Sequence, residues 1–300
     1  MTSLRARRHQ KQRERLADSV ARSVLAEWSK VRPEAVARDW GELLPRVTAM
    51  VQAGQLHSAQ GTHTFMRELL GPDAEDAPEI VSEQFASQTP DGRNLMGLLA
   101  QAIPTAIRAL RSGRSSAEAH ATGGAFLDLA TRTVVADTGR QADQVSMVAN
   151  RKVRAYVRTL QLPSCARCII LAGREYGTST GFLRHPRCDC TMEPVTRKHT
   201  PVVPDPEDIV AAMSPAERRK AFGEAGAQAI EDGARTSSVV NARKGMTKIE
   251  MHGREVQATY QGTGRRKNKK PPRLMPEAIY EIAESREEAI RLLYRNGYLR

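Results

Sequence analysis

The segments Cys165-Ala-Arg-Cys168 and His185-Pro-Arg-Cys188-Asp-Cys190 contain all four cysteines of this 300-residue chain. Paired cysteines on tight turns, with a histidine nearby, supply the thiolate and imidazole ligands that a tetrahedral zinc ion needs. We therefore predict that the middle of the chain folds around a structural zinc ion. The candidate ligands are Cys165, Cys168, His185, Cys188 and Cys190, and a tetrahedral site needs four of them.

Other roles for these cysteines are also compatible with the sequence. They could be buried or reactive thiols without a metal, or they could form disulfides. The sequence shows no signal peptide, so we expect the protein to be made in a reducing cytoplasm, which disfavours disulfides. A cysteine hydrolase is a further alternative, because basic neighbours such as Arg167 would lower a thiol pKa. Four clustered thiols favour one metal ion over one nucleophile, and we predict no catalytic residues.

Positive charge is concentrated in two separate segments of a chain whose formal net charge is +12. Such a balance is typical of proteins that bind nucleic acid or another polyanion. The alternative is a pair of solvated, disordered arms that only aid solubility. No stretch is long and apolar enough to span a bilayer. The residues predicted to contact DNA are Arg5, Arg7, Arg8, Lys11, Arg265, Arg266, Lys267, Lys269 and Lys270.

The remaining pattern predicts a mostly helical α+β protein. Aromatic residues are scarce, which favours helices packed on small apolar residues. Leu16, Val20, Val24 and Trp28 recur at helical spacing and predict either a core-facing stripe or a docking face for a partner helix. Glycines and prolines predict loops over 54–80 and a helix break near Gly139.

Capping and turn signals define the second half of the chain. Ser214-Pro-Ala-Glu217 and Ser285-Arg-Glu-Glu288 each predict the start of a helix. Alternation over 249–260 predicts a β-hairpin. We predict three regions: a helical region over 1–125, a small zinc-stapled central domain over 126–200, and a basic region of helices and a hairpin over 201–300.

The cysteine segments also resemble a known family. The runs Ser164-Cys-Ala-Arg-Cys168-Ile-Ile-Leu-Ala-Gly-Arg174 and Gly181-Phe-Leu-Arg-His-Pro-Arg-Cys-Asp-Cys190 are similar to the core pattern of the MuF-like minor head proteins of tailed bacteriophages. Segments over 239–246 and 274–298 look like the long versions found in phages of actinobacteria. The likeness covers about residues 160–300, whereas the first 125 residues match only in being helical, basic and variable.

The resemblance implies a head-morphogenesis protein made in the host cytoplasm and present in a few copies inside the virion, near the portal. It implies that the helical region docks on the portal oligomer, that the protein contacts double-stranded DNA, and that the major capsid or a scaffold protein is a further partner. Some relatives are called capsid maturation proteases, and a maturation protease is the second reading, although this sequence shows no recognisable protease constellation. A zinc-containing DNA-binding regulator is the third reading.

Overall fold

The chain divides into two units, the first comprising Met1–Thr159 and Arg174–Val202 and the second Leu160–Gly173 and Val203–Arg300. The computed structural model describes residues 3–75, 77–181, 185, 188, 190–251, 253–262 and 272–299. Each unit combines helices with a three-stranded antiparallel sheet, and helices predominate. The predicted fold class, mostly helical α+β, is therefore confirmed.

Long helices make up most of the first unit, and strand β1 (Ala155–Thr159) is the central strand of its sheet, between β2 (Glu175–Gly177) and β3 (Thr191–Val195). Short 3₁₀ turns follow the second helix at Gly71–Ala74 and Ser82–Phe85. The elements of this unit are α1 Leu4–Trp28, α2 Val36–Leu70, α3 Leu95–Ala100, α4 Ala102–Arg111, α5 Ser116–Ala149, β1 Ala155–Thr159, β2 Glu175–Gly177 and β3 Thr191–Val195.

The predicted apolar stripe of α1 lies in the core of this unit. Val24 and Trp28 are buried in one hydrophobic cluster with residues of α2 and α5, and Leu16 and Val20 pack against it. The ring of Trp28 packs edge-on against Trp40, with centroids 5.0 Å apart. The stripe is therefore a core-facing surface.

Two sequence expectations about helix ends are wrong. Helix α2 continues to Leu70, through residues 54–70 of the segment 54–80 that is predicted to be loops, and α5 continues through Gly139. A Cβ on Gly54 would lie 2.7 Å from Val20 Cγ2, and one on Gly139 would lie 2.5 Å from Arg13 Nε. These glycines allow helices to pack closely, and they do not end them. The boundary predicted at residues 125 and 126 falls inside α5.

The second unit contains short helices and a sheet in which β5 (Arg254–Thr259) lies between β4 (Met246–Met251) and β6 (Arg273–Leu274). A 3₁₀ turn at Arg243–Gly245 leads directly into β4. The elements are α6 Ala166–Ile169, α7 Pro206–Ala211, α8 Pro215–Phe222, α9 Glu224–Glu231, α10 Thr236–Ala242, β4 Met246–Met251, β5 Arg254–Thr259, β6 Arg273–Leu274, α11 Pro276–Ile282 and α12 Arg286–Arg295.

Local signals predicted this second unit well. Ser214 and Glu217 form a reciprocal capping box at the start of α8. Ser285 caps α12 through the backbone N–H of Glu288, although the Glu288 carboxylate accepts from Glu284 instead. Strands β4 and β5 form the predicted hairpin, with Met251 paired to Arg254. No described helix in either unit combines the length and the apolar character needed to cross a membrane.

Candidate metal centre

Cys165 and Cys168 lie on a single helical turn. Cys165 precedes the first residue of α6, and its Sγ accepts a hydrogen bond from the backbone N–H of Cys168 at 3.4 Å. Cys168 is buried, whereas Cys165 is half-buried. Between them, Arg167 donates from Nη1 to Oδ1 of Asn241 at 2.7 Å. The C-x-x-C spacing therefore places both thiols on one turn of backbone.

The second segment brings Cys188 and Cys190 together. Their Sγ atoms are 2.8 Å apart, and both side chains are buried. The backbone N–H of Cys188 donates to the carbonyl of His185, whose side chain is exposed. Cys190 directly precedes β3, a strand in which every residue is buried. All four cysteines of the chain are described, and none of them forms a disulfide.

Arg140 on α5 fixes the backbone of this segment. Its Nε donates to the carbonyl of Cys190 at 3.0 Å, and its Nη2 donates to the carbonyl of Cys188. Its Nη1 donates to Oδ1 of Asp137 at 2.8 Å. Burial opposes the charge of this guanidinium, but Asp137 and the sulfurs of Cys190 and Cys188 raise the pKa of Arg140 above its usual value. A fully charged arginine therefore lies beside the two thiols.

The five candidate ligands form two overlapping triads. The ligand atoms of Cys165, Cys168 and His185 lie within 4.8 Å of one another, and so do those of Cys168, Cys188 and Cys190. Cys168 belongs to both triads. The structure thus groups all five residues that the sequence singled out, in sets that could hold a metal ion.

The chemistry of the candidate ligand atoms determines which metal ions the site suits. Thiolate and imidazole ligands match zinc, whereas magnesium and calcium prefer carboxylate and carbonyl oxygens. Three of the four sulfurs are buried, as is usual in a closed structural site. These residues therefore fit a zinc ion by their chemistry.

A cavity of about 420 Å³ lies beside the second segment. Helices α1 and α5 form most of its wall, and His185 and Cys188 line it as well. Its charged residues include Glu14, Asp18, Asp128, Asp137, Arg132 and Arg140. Arg132 pairs with Asp18 and Asp128, and Arg140 pairs with Asp137. Acidic side chains outnumber basic ones, so this cavity favours cations over anions.

The predicted DNA-contacting residues divide into two groups. Arg5, Arg7, Arg8 and Lys11 lie in the first turns of α1, where Arg5, Arg8 and Lys11 are exposed and Arg7 is half-buried. This segment is helical in the structure and is not a disordered arm. The second group, Arg265, Arg266, Lys267, Lys269 and Lys270, lies outside the described residues.

Sequence reasoning missed a buried polar network in the first unit. Asp143 on α5 accepts hydrogen bonds from Arg13 Nη2 at 2.6 Å and from Thr62 Oγ1 at 2.7 Å. His9 Nε2 lies 2.6 Å from Arg13 Nη2, and its ring stacks on Phe65 with centroids 4.1 Å apart. The available signal was polar residues at core spacing in α1, because His9 and Arg13 follow the buried Ala6 by three and seven positions.

Comparison with known proteins returns no matching family model, no matching curated protein and no matching solved structure.

Proposed function

We propose that this chain is a minor head protein of a tailed bacteriophage. In this proposal it is made in the host cytoplasm, docks on the portal oligomer and remains inside the head in a few copies per virion. There it contacts double-stranded DNA during assembly, packaging or ejection, with the major capsid or a scaffold protein as a further partner. Its action is binding, and its metal is a structural zinc.

The observation that carries the proposal is the grouping of the five candidate ligands. Cys165, Cys168, His185, Cys188 and Cys190 are the residues on which the family resemblance rests, and they form the two overlapping triads. All five lie within 26 residues of the sequence. If these five side chains lay apart in the structure, they could not bind a common metal ion, and the resemblance would have no structural support.

A bound zinc ion would supply a cross-link between loops that contain little apolar area of their own. The chain's own residues prepare that site. The α6 turn presents Cys165 and Cys168 together. Arg140 holds the carbonyls of Cys188 and Cys190 in place, and its charge compensates thiolates at a bound metal.

Helix α1 supports the DNA-binding part of the proposal. Arg5, Arg8 and Lys11 are exposed on it, within a chain of high positive charge. Lysine and arginine side chains release counterions when they neutralise DNA phosphates, so binding should weaken steeply as salt rises.

Portal docking has to use a surface other than the apolar stripe of α1. Val24 and Trp28 are buried inside the unit itself, so they cannot also face a partner. The docking surface in this proposal is therefore made of exposed residues.

Quantitative mass spectrometry of purified virions, and of heads emptied of DNA, tests the proposal. We expect the intact chain at a few copies per particle in both preparations, or in the virions alone if it leaves with the DNA. Absence from virions would overturn the proposal. Presence only in proheads that also contain cleaved capsid protein would favour a maturation protease instead.

A further inference from the structure

A second cavity, of about 610 Å³, opens between α1 and α2 of the first unit. Helix α1 contributes Arg5, Arg8 and Arg15 to its rim, and all three side chains are exposed. Helix α2 contributes polar residues to the opposite wall, among them Gln60 and Thr64. We call this cavity the α1–α2 groove.

The groove carries an uncompensated positive charge. Within the part of the chain that the structure describes, Arg5, Arg8 and Arg15 form no ion pair. Glu68 is the single acidic residue among those that line the groove. Three guanidinium groups therefore face one carboxylate, an arrangement that attracts an anionic ligand.

The floor of the groove is neutral and fixed. Arg13 lies there, buried, and its charge is balanced by Asp143 at 2.6 Å. Burial lowers the pKa of His9, which keeps the ring neutral near pH 7 and able to accept a hydrogen bond from Arg13. The Thr62 hydroxyl donates to the same Asp143 carboxylate. The positive charge that a ligand would meet is therefore the charge of the rim arginines.

The basic surface extends beyond the groove. A neighbouring cavity of about 350 Å³ shares Arg8, Gln12 and Arg15 with the groove and adds Arg7 and Lys11. Arg5 and Arg15 are ten residues apart, about 15 Å along a helix that rises about 1.5 Å per residue. An extended ligand with repeated negative charges can engage all of these groups, whereas a small anion would reach only some of them.

We propose that the α1–α2 groove holds backbone phosphates of a nucleic acid, with Arg5, Arg8 and Arg15 as the contacting residues. This inference rests on the proposed function in taking nucleic acid as the partner, and it goes further by naming the surface. Arginine suits the role because its planar guanidinium binds two phosphate oxygens at once. No base is read, so binding should be independent of sequence.

The test measures binding of the full-length protein to a short labelled DNA duplex by fluorescence anisotropy over a series of salt concentrations. The triple variant R5Q/R8Q/R15Q removes the rim charges. For a duplex, each lost phosphate contact decreases the magnitude of the negative slope of log K against log salt by about 0.9. We therefore expect this magnitude to fall by about 2 to 3. The charge-matched control is R108Q/R111Q/R114Q, at exposed arginines on and just after α4, and its slope should equal that of the unchanged protein.

A second pair of variants keeps every arginine. Q60E/T64E places two carboxylates on the α2 wall of the groove and should weaken DNA binding. A49E/A53E places two carboxylates at the same spacing elsewhere on α2, also at exposed positions, and should weaken binding less. Tryptophan fluorescence and circular dichroism show whether each variant is folded. If one of the two groove variants, R5Q/R8Q/R15Q or Q60E/T64E, does not fold, the other provides the test.

The outcomes distinguish a failure of the groove assignment from a failure of the proposed function. If the unchanged protein binds DNA but the groove variants bind like their controls, the groove assignment is overturned and DNA binding stands. If the unchanged protein binds no DNA at low salt, both the groove assignment and the DNA-binding part of the proposed function fail. Groove-dependent binding of tripolyphosphate or polyglutamate without binding of DNA would overturn nucleic acid as the ligand.

Discussion

Helix α1 borders two cavities of opposite charge. The cavity between α1 and α5 contains more acidic than basic residues, and its arginines Arg132 and Arg140 are each paired with carboxylates. In the α1–α2 groove the rim residues Arg5, Arg8 and Arg15 have no ion pair within the described chain. Arginine content alone therefore does not mark an anion site. What distinguishes the groove is that its positive charges are not already neutralised.

The two cavities also differ in what lies beside them. Cys188 and His185 line the acidic cavity, which places it next to candidate metal ligands. The groove instead lies over a buried network of Asp143, Arg13 and His9. One helix thus borders both the cavity beside the candidate metal ligands and the groove that we propose to hold phosphates.

The largest effect is expected from C168S, which changes the residue that both triads share. Removing a ligand that is common to both sets should lower zinc affinity by more than the ~100-fold that loss of an outer-shell partner costs. C165S is the matched comparison, because it leaves the triad of Cys168, Cys188 and Cys190 intact. Competition with a chromophoric chelator measures both affinities. Equal losses in the two variants would show that the triads do not act through Cys168.

The second-largest effect is expected on the free energy of unfolding, from a change in the buried floor of the groove. D143N leaves the buried charge of Arg13 without its counter-charge, and breaking a buried pair in this way costs about 3 to 5 kcal/mol. D128N on the same helix changes a partly exposed pair with Arg132 and should cost at most about 1 kcal/mol. Urea unfolding followed by tryptophan fluorescence reports on this unit, because Trp28 and Trp40 both lie in its core. Similar costs for the two variants would refute the account of the floor.

A smaller effect is expected from pH. Burial lowers the pKa of His9 below 6.5 in the folded protein, with Asp143 opposing and Arg13 reinforcing that shift. The unfolded chain therefore binds the proton more readily, so this histidine's stabilising contribution is present above pH 6.5 and decreases as pH falls below it. The slope is at most about 1.4 kcal/mol per pH unit for one proton.

The variant H9Q should reduce the pH dependence of the free energy of unfolding below pH 6.5. H57Q, at an exposed histidine that also lines the groove, is the control for the substitution itself. If H9Q and the unchanged protein lose stability in parallel as pH falls, His9 is not the group that responds.

The smallest effect is expected in the acidic cavity. E14Q/D18N removes two of its carboxylates, but Arg132 keeps Asp128 as a partner. We expect the free energy of unfolding to change by less than about 1 kcal/mol. The salt dependence of DNA binding should stay within about 0.5 of its original slope, since no phosphate contact is lost. A steeper slope or a loss of DNA binding would mean that the two cavities are not independent.

Local sequence signals predicted the second unit better than the first. The capping box at Ser214 and the hairpin of β4 and β5 depend on neighbouring residues, so the sequence contains their full cause. Gly54 and Gly139 were misread because a glycine that ends a helix and a glycine that admits another helix look the same in sequence. Only the positions of Val20 and Arg13 in space distinguish the two cases.

The candidate sites show the same limit. The cysteine cluster could be predicted because its chemistry is rare and its spacing is short. The network of Arg13 and Asp143 joins residues 130 positions apart, and both residue types are common on protein surfaces. Their pairing follows from the packing of α1 on α5. Likewise, charge counting marks the whole basic start of the chain, but only the packing of α1 beside α2 separates the exposed Arg5, Arg8 and Arg15 of the groove rim from the buried Arg13.

The proposal that the cysteine cluster is a structural zinc site is tested most directly by the zinc content of the freshly purified protein, measured together with the reactivity of its thiols. We predict one zinc ion per chain, with the cysteines protected from a thiol reagent until a chelator removes the metal. Protein that contains no zinc, that does not take it up on addition, and whose thiols react at once without a chelator would contradict the account.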